Sequence, residues 1–315
     1  EESSYDDFFG VKRLKIAVKN PLLPWSFTEF MHLLLLLVLV LAVFIIPYLW
    51  ILPIYGLGEL FKKKNIEVQQ KVNLSWGITH FWLVSFFYLL VQVVVIFAFE
   101  YETTLNYYFD LGSSYVEESI DQKTIANSMI VFVGLMAVTT LFVIRNKGIK
   151  DVFRSNLSIR QIIGLSILFV FFNRIIIKLL SLFVDIETPV INPSVFLTVQ
   201  EEILAVISQN GFFITALLVA VVVPIYEEII FRGVILGSVE KYIGFNGANI
   251  IQAILFALVH DNLSLFPFFF IFAIVTGYWV KKSGGLLTGI FFHGLHNLTI
   301  VAALYYLSKL SAVTI

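Results

Sequence analysis

Two adjacent carboxylates and an arginine interrupt an apolar run of the sequence. Glu227, Glu228 and Arg232 lie in a stretch that begins near Phe212 and continues through Leu236. A charged side chain at the centre of a bilayer costs about 2.5–3.5 kcal/mol even on lenient insertion scales, so three of them need a reason. On a helix Glu228 and Arg232 are i,i+4 neighbours that can pair, whereas Glu227 lies about 100° away. The spacing predicts one carboxylate neutralised by the arginine and one left free for chemistry.

Two further polar clusters follow in apolar segments. The first is Phe256-Ala257-Leu258-Val259-His260, and the second contains His293, His296 and Asn297. Helical spacing places His293 and Asn297 on one face, with His296 beside them. Helix bundles build sites in this way, from inward side chains on facing helices.

These residue types favour hydrolysis by a water molecule. A desolvated carboxylate can act as a general base near neutral pH, and a histidine opposite it can help to orient the water. A second histidine and an asparagine are suitable hydrogen-bond donors to an oxyanion that develops on a carbonyl. The pattern therefore fits water attack on an amide without a covalent intermediate, and either glutamate could be the base.

Two competing chemistries use the same residue types. Zinc binds histidine and glutamate, and Glu227, His260 and His293 could form a zinc site, although a His-Glu-x-x-His motif is absent. Nucleophilic serine chemistry is disfavoured because the sequence has no Gly-x-Ser-x-Gly elbow. We expect no cofactor and keep zinc as the alternative.

Several of these residues also have purely structural interpretations. Glu228 and Arg232 could form a structural ion pair rather than take a direct catalytic part. His296 is expected to be a hydrogen-bonding residue between helices. Phe231 and Phe256 are expected to serve in packing.

The composition of the chain predicts the kind of fold that positions these side chains. The chain has 315 residues, of which 59% are hydrophobic and 14% are charged, against about 25% charged in an average soluble domain. Apolar runs of about 18 residues or more recur along it, which predicts an all-α, polytopic transmembrane helix bundle. The net charge of −1 gives no indication of nucleic-acid binding, and the absence of cysteine excludes disulfides and thiol nucleophiles.

Hydropathy divides the chain into about eight membrane helices and three regions. Pro47 and Pro53 are expected to bend or break the second half of the first helix. The regions are a polar juxtamembrane tail (1–30), an N-terminal membrane region of about four spans (31–185) and a catalytic membrane core of about four spans (186–315). The predicted spans are 31–57, 78–99, 128–144, 161–184, 211–237, 247–261, 263–280 and 286–307, with an interfacial amphipathic segment at 194–208.

The positive-inside rule groups four loops on one side of the membrane. The segments 58–76, 145–160, 238–246 and 281–285 together hold 12 of the 21 lysine and arginine residues. We therefore expect these four segments to lie at the cytoplasmic face.

The three polar clusters together resemble a known family. Glu-Glu-x-x-x-Arg, Phe-x-x-x-His and His-x-x-x-Asn, in this order and each in an apolar helix, are similar to the motifs of the CAAX proteases and bacteriocin-processing enzymes, often called CPBP or Abi. The eukaryotic branch of that family is the type II CAAX prenyl endopeptidases. The resemblance covers about residues 205–305. His296 and the long front half, about 185 residues, depart from a minimal catalytic core.

The resemblance implies a role for each motif residue. Glu227 and His260 would activate the hydrolytic water, and His293 with Asn297 would form the oxyanion hole. Glu228 and Arg232 would support and orient the first group. The family has also been described as metal-dependent, so the zinc alternative stays open.

We therefore expect an intramembrane endopeptidase in a bacterial or archaeal cell membrane. Its partners would be the lipid bilayer and a membrane-associated peptide or protein substrate, of which a lipidated one is a special case, and not nucleic acid. One rival hypothesis is a non-catalytic scaffold that regulates a partner protein on the same fold. Another is a proton-coupled transporter, for which internal repeats would be expected.

Overall fold

The computed structural model describes residues 27–62, 76–100, 121–146, 149–183, 199–260 and 262–313. The chain divides into two compact units, Glu1–Ile46 and Pro47–Ile315, and every candidate site residue belongs to the second. Residues 1–26 of the predicted tail at 1–30 lie outside the described residues. The last four residues of that predicted tail belong to the first helix, which begins at Phe27. The predicted boundary near residue 185 also lies outside them and stays a prediction.

The described residues form helices, and no strand occurs among them. The predicted all-α class is confirmed. The α-helices are α1 (Phe27–Lys62), α2 (Ile78–Val95), α3 (Gln122–Ile144), α4 (Ile149–Val152), α5 (Ile159–Leu180), α6 (Val199–Leu217), α7 (Val223–Glu228), α8 (Leu236–Leu258), α9 (Phe266–Ser283) and α10 (Leu287–Val313). Three π-helical segments, Ile96–Glu100, Leu218–Val222 and Ile229–Ile235, continue or connect them.

Five helical runs are long and apolar enough to cross a membrane. They are Ile78–Phe99, Gln122–Ile144, Ile159–Leu180, Val199–Leu258 and Leu287–Leu310. A chain with several such runs is a multi-pass integral membrane protein. The predicted number of eight spans stays a prediction.

Local sequence explains where several helices begin. Asp121 caps α3 by accepting the backbone N–H groups of Lys123 and Thr124, so this helix begins several residues before the predicted span. Ser158 and Gln161 form a capping box at the start of α5. Helix α1 continues through Pro47 and Pro53, so the prolines do not break it, and the predicted bend stays a prediction.

The run Val199–Leu258 is one apolar stretch in composition but not one straight helix. Gly211 and Gly244 interrupt its helical backbone with φ values of +77° and +76°, a region that favours glycine because it has no Cβ. The interruptions separate the predicted interfacial segment from span five, and span five from span six. Residues 194–198 of the interfacial segment lie outside the described part.

The ends of the four predicted cytoplasmic segments meet at one end of the second unit. Lys241 and Ser238 donate hydrogen bonds to the backbone carbonyls of Trp76 and Gly77. The backbone N–H of Asn156 donates to the Ser283 carbonyl, 2.7 Å away. Lys281 pairs with Glu240 and links these two sets of contacts. The three polar motifs lie farther along the helices that leave this end.

Candidate active site

The backbone around the glutamate pair is wound in two π-helical segments, before and after α7. In the first of them the N–H of Val223 donates to the Leu218 carbonyl, five residues back. The next donor in that register would be Pro224, which has no N–H, so the carbonyl of Val219 loses its helical partner. Asn297 on α10 fills this vacancy, since its Nδ2 donates to the Val219 carbonyl at 2.9 Å.

Glu228 is the buried member of the glutamate pair. Its Oε1 lies 3.0 Å from Nη1 of Arg232, and both side chains have zero exposure. The guanidinium of Arg232 also stands over the ring of Phe256, 4.3 Å from its centroid. The structure therefore contains the ion pair that the i,i+4 spacing predicts, and α8 covers it with an aromatic ring.

His293 lies between the two carboxylates. Its Nδ1 is 3.2 Å from Oε1 of Glu228, and its Nε2 is 3.7 Å from Oε2 of Glu227. The side chain of Glu227 is 14% exposed, whereas that of Glu228 is not exposed at all. Of the two glutamate side chains, only that of Glu227 has exposed surface.

His260 joins the site through an aromatic ring rather than through a polar contact. Its Nδ1 lies 2.7 Å from the carbonyl of Phe256; because a carbonyl only accepts, Nδ1 carries the proton, and Nε2 of the neutral ring keeps a lone pair. The His260 ring stacks on Phe269, and the ring of Phe256 lies 4.5 Å from His260 and 5.8 Å from His293. Within the described residues His260 makes no hydrogen bond or ion pair to Glu227.

Two glycines let α10 approach the glutamate helix closely. A Cβ at Gly289 would overlap Oε2 of Glu228, and a Cβ at Gly294 would lie 2.7 Å from the Ala220 carbonyl. Sequence reasoning missed Gly289. The signal was available, because Gly289, His293 and Asn297 follow one another at intervals of four residues and so share a helix face.

The zinc alternative needs three ligands in one place. No group of three or more histidine, aspartate or glutamate side chains in the described part of the chain is arranged to hold a metal ion. Glu227 and His293 approach each other, but His260 reaches them only through Phe256. The described residues as arranged do not fit such an ion.

A cavity of about 400 Å³ lies away from these groups, between residues 204–212 and the C-terminal part of α10 at residues 305–309. None of the predicted site residues lines it. The chemistry of the side chains, rather than the size of the cavity, therefore locates the candidate site.

Comparison with known proteins gives one family match, in the segment that holds the three polar motifs. Residues 209–299 match the family model described as type II CAAX prenyl endopeptidase Rce1-like. This segment is therefore similar to that family, and we refer to it as the Rce1-like segment. No curated protein and no solved structure matches the chain significantly.

The match confirms the resemblance that the three motifs predicted. The Rce1-like segment covers less than a third of the chain, yet it contains every predicted site residue from Glu227 to Asn297. It supports a CAAX-type intramembrane protease in general. The structure brings Glu227, Glu228, Arg232 and His293 into direct contact, and it places Asn297 one helical turn beyond His293 on the same helix.

Proposed function

We propose that the Rce1-like segment hydrolyses a peptide bond of a membrane-associated peptide or protein with water that Glu227 and His260 activate. The observation that carries this proposal is the position of His293 between an accessible carboxylate and a buried one that Arg232 neutralises. That arrangement assigns different tasks to two adjacent glutamates. Glu228 holds the histidine, and Glu227 is free to take a proton.

The contacts of His293 support this division of tasks. Its Nδ1 lies 3.2 Å from Oε1 of Glu228, the carboxylate that pairs with Arg232, so the ring is anchored on the buried ion pair. Its Nε2 lies 3.7 Å from Oε2 of Glu227, beyond hydrogen-bonding distance, so this nitrogen is not committed to the glutamate. The proposed role requires an N–H on both ring nitrogens, one for Glu228 and one for the substrate oxyanion.

Asn297 is the second donor to the oxyanion. Its amide has two N–H groups, of which one is used on the Val219 carbonyl. The bond to the backbone fixes the plane of the amide, so the remaining N–H is held in a defined direction. A donor that is already oriented stabilises the transition state without reorganisation.

The reaction then follows with all atoms accounted for. The Glu227 carboxylate takes a proton from water while the water oxygen attacks the peptide carbonyl carbon, and His260 Nε2 accepts the second water hydrogen as a hydrogen bond. The negative charge passes to the carbonyl oxygen, which His293 and Asn297 stabilise. When the C–N bond breaks, Glu227 returns its proton to the leaving amine.

The test is cleavage of a fluorogenic peptide with a prenylated C-terminal CAAX sequence, compared with its unlipidated twin, in lipid bilayers. Removal of a general base costs about 10²–10⁴-fold in rate, so Glu227→Gln is expected to lose at least about a hundredfold in kcat. His260→Ala should lose activity as well. Glu240→Gln, which changes a carboxylate outside the site, is the matched control and should keep wild-type turnover. Wild-type turnover in Glu227→Gln or in His260→Ala would contradict the assignment.

The absence of a metal step is tested separately. The guanidinium of Arg232 already supplies positive charge next to Glu228, so we expect cleavage to persist in an excess of a zinc chelator. Loss of activity in the chelator, with recovery on addition of zinc alone, would replace this mechanism with the metal-dependent one.

A further inference from the structure

Two buried side chains on neighbouring helices have polar atoms without partners. Asn173 on α5 is 1% exposed, and neither its Nδ2 nor its Oδ1 makes a hydrogen bond. His296 on α10 is 3% exposed, and its Nδ1 has no partner. Buried polar atoms in proteins are nearly always satisfied, by protein groups or by internal water, because an unsatisfied one destabilises the fold.

The contacts between α5 and α10 fix how the two helices align. Phe169 stacks on Phe292 with ring centroids 4.6 Å apart. Farther along both helices, Arg174 donates a hydrogen bond to Oγ1 of Thr299. Residue numbers therefore rise together along the contact, and the two helices run in the same direction.

This alignment places the unsatisfied side chains opposite each other. Asn173 lies one helical turn beyond Phe169, and His296 lies one turn beyond Phe292, on the same faces as these stacked rings. Both side chains are buried, so both face the interior of the contact. The three atoms without partners therefore occur at one level between α5 and α10.

That level is adjacent to the candidate active site. The ring of Phe272 lies 5.2 Å from His293, 5.3 Å from His296 and 5.1 Å from Phe169. The polar pair is thus one helical turn from His293 and shares an aromatic neighbour with it.

We propose that Asn173 and His296 bind an internal water molecule between α5 and α10, and that this water replenishes the hydrolytic site at His293. An amide that both donates and accepts, next to a ring nitrogen, offers the two to four hydrogen bonds that a buried water requires. The polar contact between the two helices continues to Arg174, which is exposed and donates to Thr299, so it extends from the buried pair to the surface of the protein. The supply role rests on the proposed hydrolysis, whereas the water site itself does not.

The experiment is hydroxyl-radical labelling by X-ray radiolysis of the whole protein in lipid bilayers. Radicals form from bound water and modify the side chains next to it. Phe272 is the reporter and Phe81 on α2, which has zero exposure, is the buried reference. The variants are Asn173→Leu and His296→Phe. The matched control is Thr140→Val on α3. It removes a buried hydroxyl that likewise has no hydrogen-bond partner but lies on a different helix.

We expect Phe272 to be labelled faster than Phe81 in the wild type and in Thr140→Val, and no faster than Phe81 in the two site variants. Peptide cleavage by the site variants should fall by up to about tenfold in kcat with KM unchanged, the effect of one lost hydrogen bond. Equal labelling of Phe272 and Phe81 in the wild type would overturn the water site, whether or not the protein cleaves peptides. Lost labelling with unchanged kcat would overturn the supply role. If the wild type cleaves no peptide, the proposed function fails while labelling still decides the water site.

Discussion

Replacing Arg232 with methionine removes the guanidinium that lies 3.0 Å from Oε1 of Glu228. Methionine keeps an unbranched, apolar side chain of similar length, so packing against Phe256 is largely retained. What changes is the charge balance. Glu228 keeps His293 at 3.2 Å but loses the guanidinium that compensates its charge.

The size of the effect follows from burial. Both side chains of the pair have zero exposure, and removal of one partner from such a pair costs about 3–5 kcal/mol because the other charge remains buried. For a chain of this size each kcal/mol lowers the melting temperature by about 2–4 °C. We therefore expect Arg232→Met to melt roughly 6–20 °C below the wild type.

The measurement is thermal unfolding in detergent, followed by tryptophan fluorescence at one fixed scan rate. The matched control is Lys281→Met, which breaks the ion pair with Glu240, where the two side chains are 23% and 15% exposed. Such a pair contributes about 1 kcal/mol or less, so the control should shift the melting temperature by no more than about 2–4 °C.

A double variant separates charge from packing. Glu228→Gln combined with Arg232→Met removes both charges and should recover most of the loss, because an uncharged pair leaves no buried charge without compensation. Equal melting temperatures for Arg232→Met and Lys281→Met would refute the reasoning. So would a double variant as unstable as Arg232→Met alone.

Two further predictions concern α10 and α3. Gly289→Ala is expected to lower cleavage and to cost about 1–3 kcal/mol of stability, because its Cβ overlaps the Glu228 carboxylate. The control for both measurements is Gly134→Ala on α3, where a Cβ meets open space; it should leave cleavage unchanged and should not lower the stability, since alanine favours a helix more than glycine does. The pKa of Asp121 is lowered from its ordinary 3.8 by hydrogen bonds from the backbone and side chain of Thr124, so its stabilising effect is present above that value and is lost as the pH falls through the lowered pKa. The melting temperature of the wild type should therefore exceed that of Asp121→Ala at pH 6, and the difference should shrink below about pH 4; a constant difference would contradict the cap.

Sequence reasoning predicted the parts of the site that depend on local geometry. The Glu228–Arg232 pair follows from i,i+4 spacing alone, since any helix brings such residues together. The approximate positions of the long apolar helices follow from hydropathy, and α2 begins at Ile78, where the predicted span begins. These features need no knowledge of which helices are neighbours.

The remaining features of the site depend on which helices pack against each other, and local spacing does not predict that. Which glutamate is exposed is decided by α10, because His293 and Gly289 close over Glu228 and leave Glu227 at the edge. The predicted boundaries between segments lie near Gly211 and Gly244, but the sequence did not predict the positive φ of these two glycines, because glycine is also common in straight membrane helices. The sequence did not indicate a role for Asn173, since a single asparagine in an apolar span carries no periodic signal.

The proline ahead of the glutamate pair links local backbone geometry to the packing of neighbouring helices. Pro224 lacks an N–H, so the Val219 carbonyl has no partner in the π-helical register. An unsatisfied carbonyl in a membrane interior costs several kcal/mol, and Asn297 satisfies it from a helix nearly eighty residues later in the chain. That bond holds α10 against the glutamate helix at the level where His293 meets both carboxylates. The residue that we propose as an oxyanion donor is therefore also the one that repairs the backbone beside the base, and its two N–H groups serve the fold and the chemistry separately.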